Sequence, residues 1–176
     1  MPHGTTPRET RVRRATVAEA DVLARLLHDF NTEFGSPTPG PAVLADRLRR
    51  MLPTDRTRAW LVTGPPTTPT TPTTPTPEPG ATAAGLALVT RRANVWSDHP
   101  VDLLDELYVV PALRSGGLGS LLIRAVLDDA RAADVAWVEV PVDAPDRDAR
   151  RFYRRHGFLE TQPETGEPEL VLSQHL

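Results

Sequence analysis

The densest group of chemically informative residues is a glycine-rich turn between an apolar segment and an amphipathic one. Its residues are Arg114, Ser115, Gly116, Gly117, Leu118, Gly119 and Ser120. Such a turn presents several backbone N–H groups at a helix N-terminus, where the helix dipole is also positive. Glycines let the main chain approach an anion closely, and an arginine adds a fixed positive charge. The pattern predicts a site for phosphate or diphosphate.

Two common phosphate-binding loops do not fit this turn. A Walker loop requires a lysine, and every basic residue other than histidine in this chain is an arginine. A Rossmann fingerprint requires G-x-G-x-x-G after the first strand of a βαβ unit, and neither the spacing nor the position agrees. On spacing alone, a glycine-rich helix start that serves only the turn stays an alternative.

Two motifs occur at a specific separation in the second half of the chain. The first reads Leu107-Tyr108-Val109, then Pro111, then Arg114-x-x-Gly117-x-Gly119. The second reads Val142-x-x-x-Asp146-x-x-Ala149-x-x-Phe152-Tyr153-x-x-x-Gly157-Phe158. They resemble the [QR]-x-x-G-x-[GA] and V-x-x-x-N-x-x-A-x-x-[LF]-Y-x-x-x-G-F motifs of the GCN5-related N-acetyltransferase (GNAT) family. The resemblance covers about residues 103–160 closely and the N-terminal part more loosely.

The resemblance implies acetyl-coenzyme A as co-substrate and no metal. Besides the turn, the coenzyme-binding residues that it implies are Leu107, Tyr108, Val109, Asp146 and Phe152. Asp146 departs from the family, which usually has asparagine here. A carboxylate accepts hydrogen bonds but donates none unless it is protonated, so Asp146 would contact the coenzyme as an acceptor.

Two adjacent carboxylates, Asp105 and Glu106, lie in the strand before the turn. A protonated amine is not a nucleophile, so acetyl transfer to an amine needs a base, acting directly or through water. Alternation along a strand predicts that the two side chains point to opposite faces and that only one enters the acceptor cleft. Family members that acetylate polyamines carry a similar acidic pair. Both residues are therefore candidates for amine binding or deprotonation, with Glu106 favoured as the base, and a mere surface pair is the alternative.

The resemblance also implies two groups that act on the thioester. A backbone N–H at about Val109, where this strand separates from the next, stabilises the negative charge of the tetrahedral intermediate in the family. Tyr153 occupies the family's tyrosine position and is the candidate proton donor to the departing thiolate, a role that suits a phenol with a pKa of ~10. Without the resemblance, Tyr153 would be an ordinary core aromatic residue.

The acceptor side is less sharply defined by the sequence. In the family's fold the first two helices and their loop form one wall of the acceptor cleft, and here that loop, residues 31–41, offers Glu33 and Phe34 as substrate-binding residues. With Asp102 and the acidic pair, these groups would suit a cationic amine. We expect a small-molecule amine such as a polyamine, an amino acid or an aminoglycoside. A protein N-terminus or lysine is the alternative acceptor.

The apolar spacing along the chain predicts the helices and strands that must position these residues, in the order β-α-α-β-β-β-α-β-α-β. This order indicates an α/β fold with a mixed central sheet flanked by helices. This is the acyl-CoA N-acyltransferase (GNAT) fold that the resemblance implies. Thr16 and Glu19 form a capping-box pattern at the start of the first helix. The predicted elements cover residues 11–15, 17–33, 41–52, 60–62, 84–91, 103–110, 120–132, 135–140 and 144–156, with Phe158 and 168–173 as terminal strand material.

One segment, residues 64–80, is 14 Pro or Thr out of 17, which leaves it nothing to bury. We interpret it as a flexible insertion in a hairpin between the strands at 60–62 and 84–91, because a long surface loop costs little extra closure entropy. The whole chain, 1–176, is then a single domain. A partner-binding polyproline segment is the alternative.

Composition excludes several classes of function. The 20 basic and 23 acidic side chains give a net charge of −3, which argues against nucleic-acid binding. Without cysteine there is no thiol catalysis or cysteine zinc site, and the five scattered histidines lack ligand spacing, so no metal is expected. We find neither an apolar stretch of ~18 residues nor a signal-peptide core, so no membrane association and a cytoplasmic location are expected.

These observations predict an N-acetyltransferase that moves acetyl from acetyl-coenzyme A to a primary amine by direct attack. Tyr153 and the acidic pair favour an enzyme over a non-catalytic acyl-coenzyme A binding or sensing domain. An interaction protein that works through the Pro/Thr segment is a third class. Such folds often pair, so the resemblance also implies a homodimer.

Overall fold

The computed structural model describes residues 10–64, 83–168 and 174. Nearly all of the Pro/Thr segment, and residues 169–173 of the predicted terminal strand, lie outside these residues. The backbone contacts divide the chain into two compact units, Met1–Glu139 and Val140–Leu176. Each unit is described by itself, and a single domain over the whole chain stays a prediction.

A five-stranded mixed sheet forms the centre of the first unit, in the order β1-β2-β3-β4-β5. The first four strands are antiparallel neighbours, and β5 runs parallel to β4. The strands are β1 (Arg11–Arg14), β2 (Thr57–Thr63), β3 (Ala83–Arg92), β4 (Val101–Val109) and β5 (Trp137–Glu139). The sheet confirms the predicted fold class and the predicted pairing of β2 with β3.

Three helices cover the sheet: α1 (Ala20–Glu33), α2 (Pro41–Met51) and α3 (Leu118–Ala132). The predicted capping box is present, because the Thr16 N–H donates to the Glu19 carboxylate at 2.9 Å. The inner faces of α1 and α2 join one side of the sheet in a single core cluster that includes Leu23, Leu48 and Leu86. Helix α3 contacts β2, β3 and β4, and its buried residues lie outside that cluster, so it covers the opposite face.

A buried ion-pair network ties β2, β3, β4 and α3 together at the end of the sheet where β4 begins. Arg58 and Asp102 are 3% and 1% exposed, and Arg58 Nη2 lies 2.5 Å from Asp102 Oδ2. Arg58 Nη1 bonds Asp129 at 2.6 Å, and Arg91 Nε bonds Asp102 at 2.8 Å. Burial alone would raise the pKa of Asp102, but the hydrogen bonds from Arg91 and Arg58 outweigh burial and hold this pKa below its usual value.

This network corrects one expectation about the acceptor site. Asp102 was expected among the acidic groups that attract an amine, but its carboxylate is fully engaged by two guanidinium groups inside the protein. The expectation for Asp102 is therefore wrong, and its role is structural.

In the described part of the second unit, α4 (Arg147–Arg155) is shorter at both ends than the predicted helix 144–156. Phe158 lies after this helix with its ring 5.4 Å from that of Tyr153. Of the predicted terminal strand, the described residues show only a single bridge between Thr161 and Pro168. Two arginines of α4 form local ion pairs, Arg151 with Asp148 and Arg150 with Glu160.

Within residues 10–64, 83–168 and 174, no helix combines the length and the apolarity that crossing a bilayer requires.

Asp102→Asn tests the network. Removing the negative charge leaves the buried Arg58 poorly compensated, and breaking a buried pair in this way costs about 3–5 kcal/mol. We expect the free energy of unfolding, measured by urea titration, to fall by about that amount. Asp128→Asn breaks an exposed pair with Arg131 and should change it by about 0.5 kcal/mol or less. Equal losses in the two variants would contradict the role given to the network.

Candidate active site

The glycine-rich turn lies between β4 and α3, as the sequence predicts. Ser115 and Gly117 have positive φ values of 64° and 83°, and Gly117 is the residue at which α3 starts. Among the described residues, no acceptor takes a hydrogen bond from the backbone N–H groups of residues 115–119. Alternating backbone conformations of this kind form a concave group of N–H donors that suits an anion. The turn therefore offers a ready site for a phosphate or a diphosphate.

The strand before the turn approaches β3 unusually closely. A Cβ atom on Gly85 would lie only 2.4 Å from the carbonyl oxygen of Tyr108 and 3.1 Å from Val109 Cα. Only glycine fits there, since the nearest atoms belong to the backbone. Sequence reasoning missed Gly85 as a positioning residue, although a glycine inside an apolar strand was the available signal.

Arg114 links the turn to the end of α1. Its two terminal nitrogens lie 2.6 and 2.7 Å from the Glu33 carboxylate oxygens, and its Nε donates to the Val109 carbonyl at 2.9 Å. The guanidinium also lies 5.6 Å from the Tyr108 ring centre. The hydrogen bonds from Arg114 lower the pKa of Glu33. Arg114, which was predicted to bind the coenzyme, therefore forms an ion pair with Glu33, which was predicted to bind the acceptor.

Phe34, the other residue predicted to bind the acceptor, is 61% exposed. Its ring packs edge-on against Phe30 at 5.1 Å, and Phe30 in turn contacts Tyr108. Neither Phe34 nor Glu33 lines the pocket described next. Their roles in acceptor binding stay predictions.

A pocket of about 230 Å³ opens between the two N-terminal helices and the sheet. Its lining combines an apolar wall with a few polar groups. The lining residues are Leu27, Asn31, Leu44, Arg47, Leu48, Met51, Leu88, Thr90, Asp105 and Glu106. Both predicted carboxylates are among them.

The position of the two carboxylates corrects the expectation from alternation. Leu88 pairs with Glu106 while the next residue, Val89, pairs with Leu104, so Asp105 has no partner on β3. This is a β-bulge, in which one extra residue breaks the alternation and redirects a side chain. Asp105 and Glu106 therefore line the same pocket, and the prediction of opposite faces was wrong.

The environments of the two carboxylates differ. Thr90 donates its hydroxyl hydrogen to Asp105 at 2.6 Å, and burial raises the pKa of Asp105. Glu106 receives no hydrogen bond from any residue in the described part of the chain. Burial, together with the charge of Asp105, raises the pKa of Glu106 to about 7. A carboxyl group that titrates near neutrality is suited to take a proton from an ammonium group.

Strand β4 continues toward the turn beyond its short ladder with β5. The two strands pair from Val101 opposite Trp137 to Leu103 opposite Glu139, where β5 ends. Of the predicted coenzyme residues beyond this point, Tyr108 is buried, while Leu107 and Val109 are half-buried. The separation of the two strands at about Val109 stays a prediction.

The remaining predicted residues lie in the second unit. Asp146 caps α4, where its carboxylate accepts a hydrogen bond from the Ala149 N–H at 2.9 Å. The oxygen of an asparagine would serve equally well, so the departure from the usual residue leaves the helix start intact. The rings of Phe152 and Tyr153 pack edge-on, with their centres 5.2 Å apart. The coenzyme and proton-transfer roles of these three residues stay predictions.

Comparison with known proteins gives consistent results. The model of the family described as "Acetyltransferase (GNAT) family" matches residues 48–158. A curated relative, the aminoalkylphosphonate N-acetyltransferase of Salmonella typhimurium, is 34% identical over 58 residues. That match spans 33% of this chain and only 38% of the length of the relative.

Solved structures extend the likeness over nearly the whole chain. The crystal structure of a putative acetyltransferase from Arthrobacter sp. FB24 is 40% identical, with a TM-score of 0.80 over 98% of this chain and 100% of that one. An aminoglycoside acetyltransferase from an uncultured soil metagenomic sample, solved in complex with sisomicin, is 16% identical. It has a TM-score of 0.70 over 95% of this chain and 96% of that one, a likeness of fold alone.

Proposed function

The chain belongs to the GNAT acetyltransferase family, and from this we propose that it transfers acetyl from acetyl-coenzyme A to the primary amine of a small molecule. The observation that carries the proposal is the run of backbone N–H groups at residues 115–119, which no described residue uses. Five such donors at the start of a 15-residue helix match the diphosphate of a nucleotide coenzyme.

Acetyl-coenzyme A would supply an activated acyl group as a thioester. The turn, from Ser115 to Ser120, would hold its diphosphate, and Arg114 would add charge to the same site. We assign Leu107, Tyr108 and Val109 to the coenzyme's arm because they occupy the family's motif positions directly before the turn. Asp146 and Phe152 complete the proposed coenzyme set.

Glu106 is the proposed base. With a pKa of about 7, a large fraction of Glu106 is deprotonated at neutral pH. Its carboxylate is still basic enough to accept a proton from an ammonium group. Asp105, held by Thr90, would attract the cationic amine and orient it beside Glu106. Once it is deprotonated, the amine nitrogen attacks the thioester carbonyl directly.

Two further groups are assigned by family membership. The Val109 N–H would donate to the carbonyl oxygen that gains negative charge during the attack. Tyr153 would return a proton to the departing thiolate.

The size of the pocket favours a small acceptor. Its volume of about 230 Å³ is below the roughly 300–1,000 Å³ typical of sites for drug-sized ligands. The curated relative is named for aminoalkylphosphonates, which also are small amines. A protein acceptor would have to present a single lysine or N-terminal residue to the same pocket.

Gly117→Glu tests the coenzyme site. The substitution puts a negative charge among the N–H donors and a side chain on a left-handed residue. Because hydrogen bonds to charged groups are worth about 1.5–3 kcal/mol, we expect the dissociation constant of acetyl-coenzyme A, measured by calorimetry, to rise by at least about tenfold. Gly35→Glu, at another positive φ (66°) outside the turn, is the matched control and should bind normally. Unchanged binding by the Gly117 variant would remove the turn from the coenzyme site.

Glu106→Gln tests the base, with coenzyme A release followed against a panel of amines. A base works only when deprotonated, so kcat/KM of the native chain should rise with pH below about 7 and level off above it. The variant should lose this pH dependence, and its kcat/KM should fall by about 10²–10⁴-fold. Glu164→Gln, on an exposed turn, should keep both.

An unchanged pH profile in Glu106→Gln would assign the proton to another group. A native chain that binds acetyl-coenzyme A but releases no thiol with any amine or peptide would instead be a binding domain.

A further inference from the structure

Among the residues that the structure describes, Arg47 is the only cationic side chain that lines the acceptor pocket. It lies on α2, one residue before the buried Leu48, and Leu44 and Met51 flank it on the same pocket wall. The two carboxylates lie on β4, which forms the sheet side of the pocket. The pocket thus has a negative group on one side and a positive group on the other.

The guanidinium of Arg47 has no partner in the part of the chain that the structure describes. Its neighbour Arg49 is different, because Arg49 bonds Asp21 at 2.6 Å and Asp46 at 2.8 Å. The two neutral polar side chains of the pocket are engaged: Asn31 donates to the Leu27 carbonyl at 3.2 Å, and Thr90 donates to Asp105. Arg47 is therefore available to a ligand.

Apolar surface joins the two charged sides. Leu27, Leu44, Leu48, Met51 and Leu88 supply it. The pocket volume is about 230 Å³. That space fits a chain of a few methylene groups with a polar group at each end.

Building on the proposed function, we propose that the acceptor is an amine that also carries an acidic group. Its ammonium end lies at Asp105 and Glu106, its aliphatic part packs on the leucines and Met51, and its carboxylate or phosphonate pairs with Arg47. A guanidinium binds such an oxyanion through two parallel hydrogen bonds. The same charge repels a second ammonium group, so Arg47 selects against diamines and polyamines.

The test compares four acceptors of similar length: 5-aminopentanoate, 4-aminobutylphosphonate, pentylamine and 1,5-diaminopentane. For the native chain, kcat/KM measured by coenzyme A release should be at least about tenfold higher for an acidic acceptor than for pentylamine, with the diamine lowest. The first two compounds distinguish a carboxylate from a phosphonate as the preferred acid.

Substitution of Arg47 should change selectivity rather than the chemical step. In Arg47→Gln the acidic acceptors should lose their advantage over pentylamine through a higher KM. In Arg47→Glu the order should invert in favour of the diamine. Arg50 is exposed on the same helix but lies outside the pocket. Arg50→Gln is therefore the matched control and should keep the native order of kcat/KM among the four acceptors.

Equilibrium binding gives a readout that does not depend on turnover. The dissociation constant of the better acidic acceptor, measured by calorimetry with coenzyme A present, should rise at least about tenfold in Arg47→Gln and stay unchanged in Arg50→Gln. Thermal melts of each variant verify that it is folded.

The two proposals fail in different ways. Turnover of pentylamine or the diamine as fast as the acidic acceptors, or a native preference that persists in Arg47→Gln, would overturn the role of Arg47 and leave the acetyltransferase proposal standing. Absence of turnover with every amine would overturn the proposed function. In that case equal binding of the acidic acceptor by the native chain and Arg47→Gln would overturn the present inference as well.

Discussion

The hydrogen-bond register between β3 and β4 changes by one residue at Leu88 and Val89, and the pocket depends on that change. Without it, one carboxylate of the adjacent pair would face away from α1 and α2. With it, Asp105 is the extra residue and lies beside Glu106 on the pocket side. Beyond the bulge, β3 and β4 approach each other closely at Gly85, where a Cβ atom would clash with the Tyr108 carbonyl oxygen. Strand β4 therefore positions the two carboxylates, and the glycine-rich turn follows at its end.

The ion pair between Arg114 and Glu33 joins the end of α1 to that turn. Because Arg114 Nε also holds the Val109 carbonyl, the pair helps to fix the end of β4 from outside the sheet. Both side chains are partly exposed, with 40% and 28% of their surface accessible, and pairs of this kind contribute only about 0–1 kcal/mol.

Most of the fold was predictable from the sequence because it follows from periodicity and from caps. The apolar spacing of α1, α2 and α3 and the capping box at Thr16 placed those helices to within three residues of their observed ends. The glycine-rich turn between β4 and α3 was predictable because clustered glycines interrupt the apolar pattern there, while its anion-binding role stays a prediction. The bulge at Asp105 was not predictable, since alternation is the only rule that a short strand offers and nothing local marks the extra residue. Arg47 was missed for a related reason: on the helix surface it resembles Arg49 and Arg50, and only the packing of α2 on the sheet separates them.

The acidic residues of β4 show why residue type alone does not assign a role. Asp102, Asp105 and Glu106 lie within five positions of one strand. Asp102 faces two guanidinium groups, so its pKa is lowered and its charge is used up in holding β2, β3 and β4 together. Glu106 is also largely removed from water, but the nearest charge is another carboxylate, so its pKa rises. The protein pairs the carboxylate that must stay ionised for stability. It leaves Glu106 without a cationic hydrogen-bond partner among the described residues, and this difference in compensation is the reason why we propose Glu106, and not Asp102, as the base.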